Sequence, residues 1–83
     1  MKPFNIIKRI RMWIPVALQT DEPYATAFER AESAALAIDE GRDVSFATTE
    51  LHTELTHICN ALWSEQLTPL ARRVFAITNE VPV

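Results

Sequence analysis

Residues 24–62 read YATAFERAESAALAIDEGRDVSFATTELHTELTHICNAL. In the first half, Tyr24, Phe28, Ala31, Ala35 and Ile38 recur at steps of four, three, four and three. That spacing marks one face of a helix. In the second half, Leu51, Leu55, Ile58 and Leu62 step by four, three and four, and Cys59 and Trp63 widen the stripe. Ala27 and Ala34 flank the first stripe, so a partner helix can come close. Between the stripes stands Gly41, the natural left-handed stop of the first helix. The pattern predicts two helices over about 23–40 and 46–66, joined at 41–44 as an antiparallel hairpin.

Signals on either side extend this reading. Thr20 or Asp21 can accept the first free N–H groups of the hairpin, and Pro23 suits an early helical position. Asp43 or Ser45 is the corresponding cap of the second helix. Its early threonines, Thr48, Thr49, Thr53 and Thr56, are mediocre helix formers, so that helix depends on packing. Thr68-Pro69 opens a last helix with Leu70, Ala71, Val74, Phe75 and Ile77 as its apolar face. It is expected to end at about 78–79, with Pro82 preventing continuation.

The N-terminal segment 3–18 fits two structures. As a helix it gathers Ile6, Ile7, Ile10, Trp13 and Ile14 on one face. As a strand it places Phe4, Ile6, Ile10, Met12, Ile14 and Val16 on one side. The expected fold is therefore all-α, a small three- to four-helix bundle in a single domain over 1–83. Residues 1–18 form a basic apolar arm or first element, either a helix or a dimer-pairing strand, and 19–79 form the helical body.

Charge is distributed unevenly along this frame. Residues 1–14 carry Lys2, Lys8, Arg9 and Arg11 with no acid, a net of +4. Residues 15–66 carry ten acids against Arg30 and Arg42, a net of −8, and residues 67–83 return to +1. The whole chain carries −3. A basic apolar arm ahead of an acidic helical body points to a binding protein. The hydrophobic fraction of 48% is too high for a disordered chain.

Several classes are excluded. The single glycine rules out a P-loop, a dinucleotide-binding turn and a glycine-rich oxyanion loop, each of which needs several. The single cysteine allows no internal disulfide and fits a reducing compartment, so a cytoplasmic location is expected. The apolar run 12–18 is broken by Pro15 and is too short to span a bilayer. Lys8, Arg9 and Arg11 interrupt what would be the apolar region of a signal peptide, so the N-terminus is read as part of the mature chain.

His52, His57 and Cys59 are the candidate soft metal ligands. His52 and His57 diverge by about 140° around a helix, and His52 and Cys59 lie roughly 10 Å apart along its axis. They do not converge as structural zinc requires, and no metal or other cofactor is expected. Cys59 lacks a neighbouring cation to lower its pKa, so no catalytic residue is assigned and the chain is expected not to be an enzyme.

The candidate partner-binding residues are Lys8, Arg9, Arg11 and Trp13 on the arm and Glu29, Glu32, Glu50 and Glu54 on the body. Glu29–Glu32 and Glu50–Glu54 are like-charged neighbours on helix faces, a surface that could dock on a basic partner. Trp13, beside Pro15 and three cations, suits an interface anchor, whereas Trp63 suits the core. The leading expectation is a small non-enzymatic protein–protein interaction module. It would act as a stoichiometric inhibitor or adaptor of the phage or mobile-element accessory type, on a host protein. A homodimer is compatible with the thin core of so short a chain, and a membrane partner is not expected.

Ile10-Arg11-Met12-Trp13-Ile14-Pro15, followed by two helices split at Gly41-Arg42-Asp43-Val44-Ser45, also resembles a ribbon-helix-helix repressor. The resemblance implies a dimeric DNA-binding regulator whose paired N-terminal strands enter the major groove. Lys8, Arg9, Arg11 or Trp13 would then face base edges, with the second helix's N-terminus near a phosphate.

Overall fold

The computed structural model describes residues 2–81. They form five α-helices: α1 (Pro3–Trp13), α2 (Val16–Gln19), α3 (Tyr24–Asp39), α4 (Val44–Ser64) and α5 (Thr68–Thr78). No strand occurs among the described residues. Pro82, expected to stop the last helix, lies outside them.

α3 and α4 pack most closely, as the antiparallel hairpin expected from the two stripes. Tyr24, Phe28, Ala31 and Ala35 of α3 are buried, as are Leu51, Leu55, Ile58 and Leu62 of α4. Ile38, the last member of the first stripe, is only partly covered. The open ends of the hairpin are tied together by the Tyr24 hydroxyl, which donates to Glu65 Oε2 at 3.1 Å.

Both ends of the hairpin helices are closed by the same backbone device. After α3, Gly41 adopts φ +73°. Its N–H bonds the Ile38 carbonyl at 3.1 Å and the Arg42 N–H bonds the Ala37 carbonyl at 2.8 Å, a Schellman closure. After α4, Gln66 takes the left-handed place at φ +63°. Here Gln66 N–H bonds Trp63 and Leu67 N–H bonds Leu62, at 3.0 and 2.9 Å. Leu67 then packs on the core, the apolar contact typical of this closure.

Residues 3–13 are helical, which settles the ambiguity of the arm. Ile6, Ile7, Ile10 and Ile14 are all buried. A strand would turn Ile6 and Ile7 to opposite faces, whereas the helix delivers both to the core. The ribbon that the repressor resemblance requires is thus a core helix. Pro15 ends the α1 path, and Gln19 of α2 takes over the carbonyls left free. Its Nε2 donates to Arg11 O and Ile14 O, each at 2.8 Å. α1 packs mainly on α3 and also touches α5, while α5 covers the other flank of α4. Ala71, Val74 and Ile77 are the inward residues of α5.

The expected caps are not used. Pro23, Asp43 and Leu67 hold the N-cap positions of α3, α4 and α5, and none makes a side-chain capping bond. Asp21 accepts instead through its backbone, from Ala25 N–H at 2.9 Å. Asp43 sits in the left-handed region at φ 44°, which turns its carboxylate away from the cap geometry.

Two predictions follow from these ends. Gln66→Gly removes the cost of a side chain in the left-handed region and raises stability by about 0.5–1 kcal/mol, while Gly41→Ala lowers it by about 1 kcal/mol. Urea unfolding of the pair reads both signs. The second concerns Tyr24, the chain's one tyrosine. Burial, helped by the bond to Glu65 and its charge, pushes its hydroxyl from 10.0 up to about 12. Below pH 10 the phenol is neutral in both folded and unfolded chains. Between pH 10 and about 12 only the unfolded chain ionises, so stability falls with rising pH across that window. Phenolate absorbance is expected to titrate near 12, and Tyr24→Phe to flatten the stability loss between 10 and 12.

Candidate functional site

The fold distributes the eight sequence candidates over separate places. Lys8 and Arg9 are exposed on the outer side of α1, with Lys8 Nζ 5.1 Å from the Phe4 ring centre. Arg11 turns the other way, bonds Glu32 at 2.6 Å, and lies 5.1 Å from the Phe28 ring. The pair links α1 to α3, while the Arg11 Nε is buried without an acceptor. Trp13 is half-buried against the core under the guanidinium of Arg73, 4.4 Å from its ring centre.

The acidic face is also divided. Glu29 is exposed and Glu50 half-buried. Glu32 is occupied by Arg11. The Glu54 side chain is only 5% exposed and accepts from His57 Nδ1 at 3.2 Å. Glu54 therefore does not belong to a solvated docking face, because its position on α4 points back toward α3. The four glutamates do not form one surface.

The residues that do converge lie on the α4–α5 seam. Cys59, Asn60 and Trp63 of α4 face Ala71, Arg72 and Phe75 of α5 across a groove of about 330 Å³. A second hollow of about 190 Å³ continues it along the seam and shares Cys59, Asn60 and Phe75. Trp63 is 56% exposed and Phe75 60% exposed, which places both outside the core expected for them.

Helix geometry gives the reason. Leu62 and Trp63 differ by about 100° around α4, and Leu62 takes the inward place. α5 approaches through its small Ala71, whose carbonyl accepts from Cys59 Sγ at 3.3 Å. That contact leaves the seam no room to enclose a tryptophan, so Trp63 and Phe75 stand on its outer edge. The width of the second stripe was the available signal. A stripe holding Leu62 and Trp63 together is broader than one partner helix covers.

Chemically the groove is quiet. Burial pushes the Cys59 thiol pKa up from its ordinary value, which opposes formation of a thiolate nucleophile. His52 Nε2 is bonded to the Val81 carbonyl at 3.1 Å and His57 to Glu54, so the two histidines are engaged in different directions. What the groove offers is surface: two large aromatic edges, a floor of Cys59 and Ala71, a side-chain amide and an arginine. Other exposed apolar residues, such as Met12 and Phe46, stand apart on α1 and α4.

Truncation separates edge from core. Trp63→Ala and Phe75→Ala are each expected to change stability by less than about 1 kcal/mol. Leu62→Ala, one residue from Trp63, is expected to cost about 2–5 kcal/mol. Thermal unfolding of the three variants checks the assignment. Comparison of this chain with protein-family models, curated proteins and solved structures finds no match.

Proposed function

We propose that this protein is a non-enzymatic interaction module that docks on a partner protein through the α4–α5 groove. It acts stoichiometrically, as an inhibitor or adaptor of the kind that phages and mobile elements direct at host proteins. The observation that carries the docking reading is the pair Trp63 and Phe75, each more than half exposed on the two walls of one groove. A folded chain this small gains by burying such side chains, and leaving two of them side by side marks a surface kept for association. Tryptophan and arginine are also the residues most enriched where binding energy concentrates, and Arg72 stands at the rim. The accessory-protein part of the proposal rests on small size, acidity and a motif-free helical build, which is an argument by type.

The docking face proposed here differs from the acidic one read from the sequence. Glu32 and Glu54 already have partners within the fold, which leaves Glu29 and Glu50 too sparse to define a face. A membrane-spanning role has no support among the described residues, since no helix is long and apolar enough to cross a membrane.

Affinity capture from bacterial lysate, with and without nuclease, tests the proposal. Wild type is expected to retain one protein in near-equimolar amount that survives nuclease. The Trp63→Ala/Phe75→Ala double variant is expected to lose at least about tenfold of it, the equivalent of roughly 1.4 kcal/mol. Charge reversal at Glu29 and Glu50 is expected to leave capture within about twofold, as for substitutions away from an interface. Retention of nucleic acid alone, or of a protein the double variant holds equally well, would contradict the docking reading.

A further inference from the structure

α4 is 21 residues long, about 30 Å, and its neighbours cover only its inner side. Opposite the buried Leu51, Leu55, Ile58 and Leu62, a second stripe faces solvent. It consists of Phe46, Thr49, Thr53, Thr56, Asn60 and Trp63, all exposed. The steps are three, four, three, four and three, the spacing of the a and d positions of a coiled coil. The uncovered side of a helix is ordinarily its charged side. Here the exposed residues of α4 include no aspartate, glutamate, lysine or arginine.

The threonines of this stripe turn their polarity inward. The hydroxyls of Thr49, Thr53 and Thr56 donate to the carbonyls of Ser45, Thr49 and His52 at 3.2, 2.9 and 2.8 Å. Each hydroxyl proton is used within the helix, and the γ-methyl remains for packing. Aromatic rings close the stripe at both ends, Phe46 at 71% exposed and Trp63 at 56%. Small side chains hold its centre. Hollows of about 320 and 420 Å³ run beside it, and Thr49, Thr53 and His57 line both.

We propose that α4 pairs along this stripe with α4 of a second copy of this chain, antiparallel. A two-fold interface has to be complementary to itself, and in this register the stripe is. Phe46 meets Trp63 of the second copy, Thr49 meets Asn60, and Thr53 meets Thr56. Rings pack on rings at the two ends, and small side chains let the helices close at the middle. On the α3 flank, Glu50 comes beside His57 of the second copy. His57 Nδ1 is taken by Glu54, which leaves its Nε2 for that carboxylate. A lipid surface or a nucleic acid would need cations, which this face lacks. The contact is one helix wide, below the roughly 1,200 Å² of a stable interface. The dissociation constant is therefore expected on the order of 100 µM, so dilute protein is monomeric. The pairing stands independently of the docking reading but shares Trp63 with it, so a docked partner and a second copy exclude one another.

Sedimentation equilibrium between about 10 µM and about 1 mM tests the proposal. Wild type is expected to pass reversibly from monomer to dimer over that range. Thr53→Glu/Thr56→Glu, which sets carboxylates against carboxylates at the centre of the pair, is expected to weaken association at least about tenfold. Phe46→Ala, at a residue outside the α4–α5 groove, is expected to weaken it in the same direction and serves if the double variant does not fold. Register is read by cross-linking in a Cys59→Ala background, Cys59 being the chain's one cysteine. An oxidised mixture of Thr49→Cys and Asn60→Cys is expected to give the mixed dimer, and neither variant alone is expected to cross-link. A chain that stays monomeric at about 1 mM overturns the proposal. So does a dimer that Thr53→Glu/Thr56→Glu and Phe46→Ala leave intact, or one in which each cysteine variant cross-links to itself. None of these results decides the docking reading, which stands or falls on capture by Trp63 and Phe75.

Discussion

Four alanines on the inner face of α3, Ala27, Ala31, Ala34 and Ala35, set how closely the two central helices approach. Small residues let the backbones come near, and Leu51, Leu55, Ile58 and Leu62 of α4 fill the space between. That approach determines where everything else goes. α3 brings few large side chains of its own, so its other flank needs the isoleucines of α1. The free flank of α4 is taken by α5, which comes in over Ala71 and Cys59. The groove at the edge of that last contact, with Trp63 and Phe75 on its walls, is a consequence of packing small residues at the seam.

The N-terminal arm illustrates how one segment serves two ends. Its isoleucines are core, each worth about 1.5–3 kcal/mol on burial, and a domain this small has little such burial to lose. Of its cations, Lys8 and Arg9 stay exposed to solvent. The uneven charge of the linear sequence therefore becomes an uneven charge in space. The basic helices α1 and α5 carry no acid and touch each other, and every acid but Glu80 lies on α3, α4 or the connections beside them. Arg11 crosses between the two, tied to Glu32 and lying on Phe28.

Much of the architecture was legible in the sequence. The two stripes and the single glycine gave the hairpin, because helical periodicity and a left-handed stop are local signals. Thr68-Pro69 marked the last helix within a residue. Capping was less legible, since backbone geometry at Asp43 and Pro23 replaced the side-chain bonds that composition suggested. The arm needed tertiary context, because Ile6, Ile10 and Ile14 fit either period until α3 supplies a surface for them. The site was legible least. Trp63 and Phe75 belong to apolar stripes, and a stripe records which residues are apolar without recording how much of its width a neighbour covers. Charge runs misled for a related reason: Glu32 and Glu54 are acids in sequence, but the fold gives each a partner.

The central claim is that the α4–α5 groove stands open in the free protein and closes on a partner. Acrylamide quenching of Trp63 in the Trp13→Phe variant, with and without the captured partner, tests it most directly. Strong quenching in the free protein, falling several-fold when the partner binds, is the result expected of an exposed anchor that becomes buried. Weak quenching in the free protein would return Trp63 to the core. Strong quenching that the partner leaves unchanged would place the interface elsewhere on the molecule.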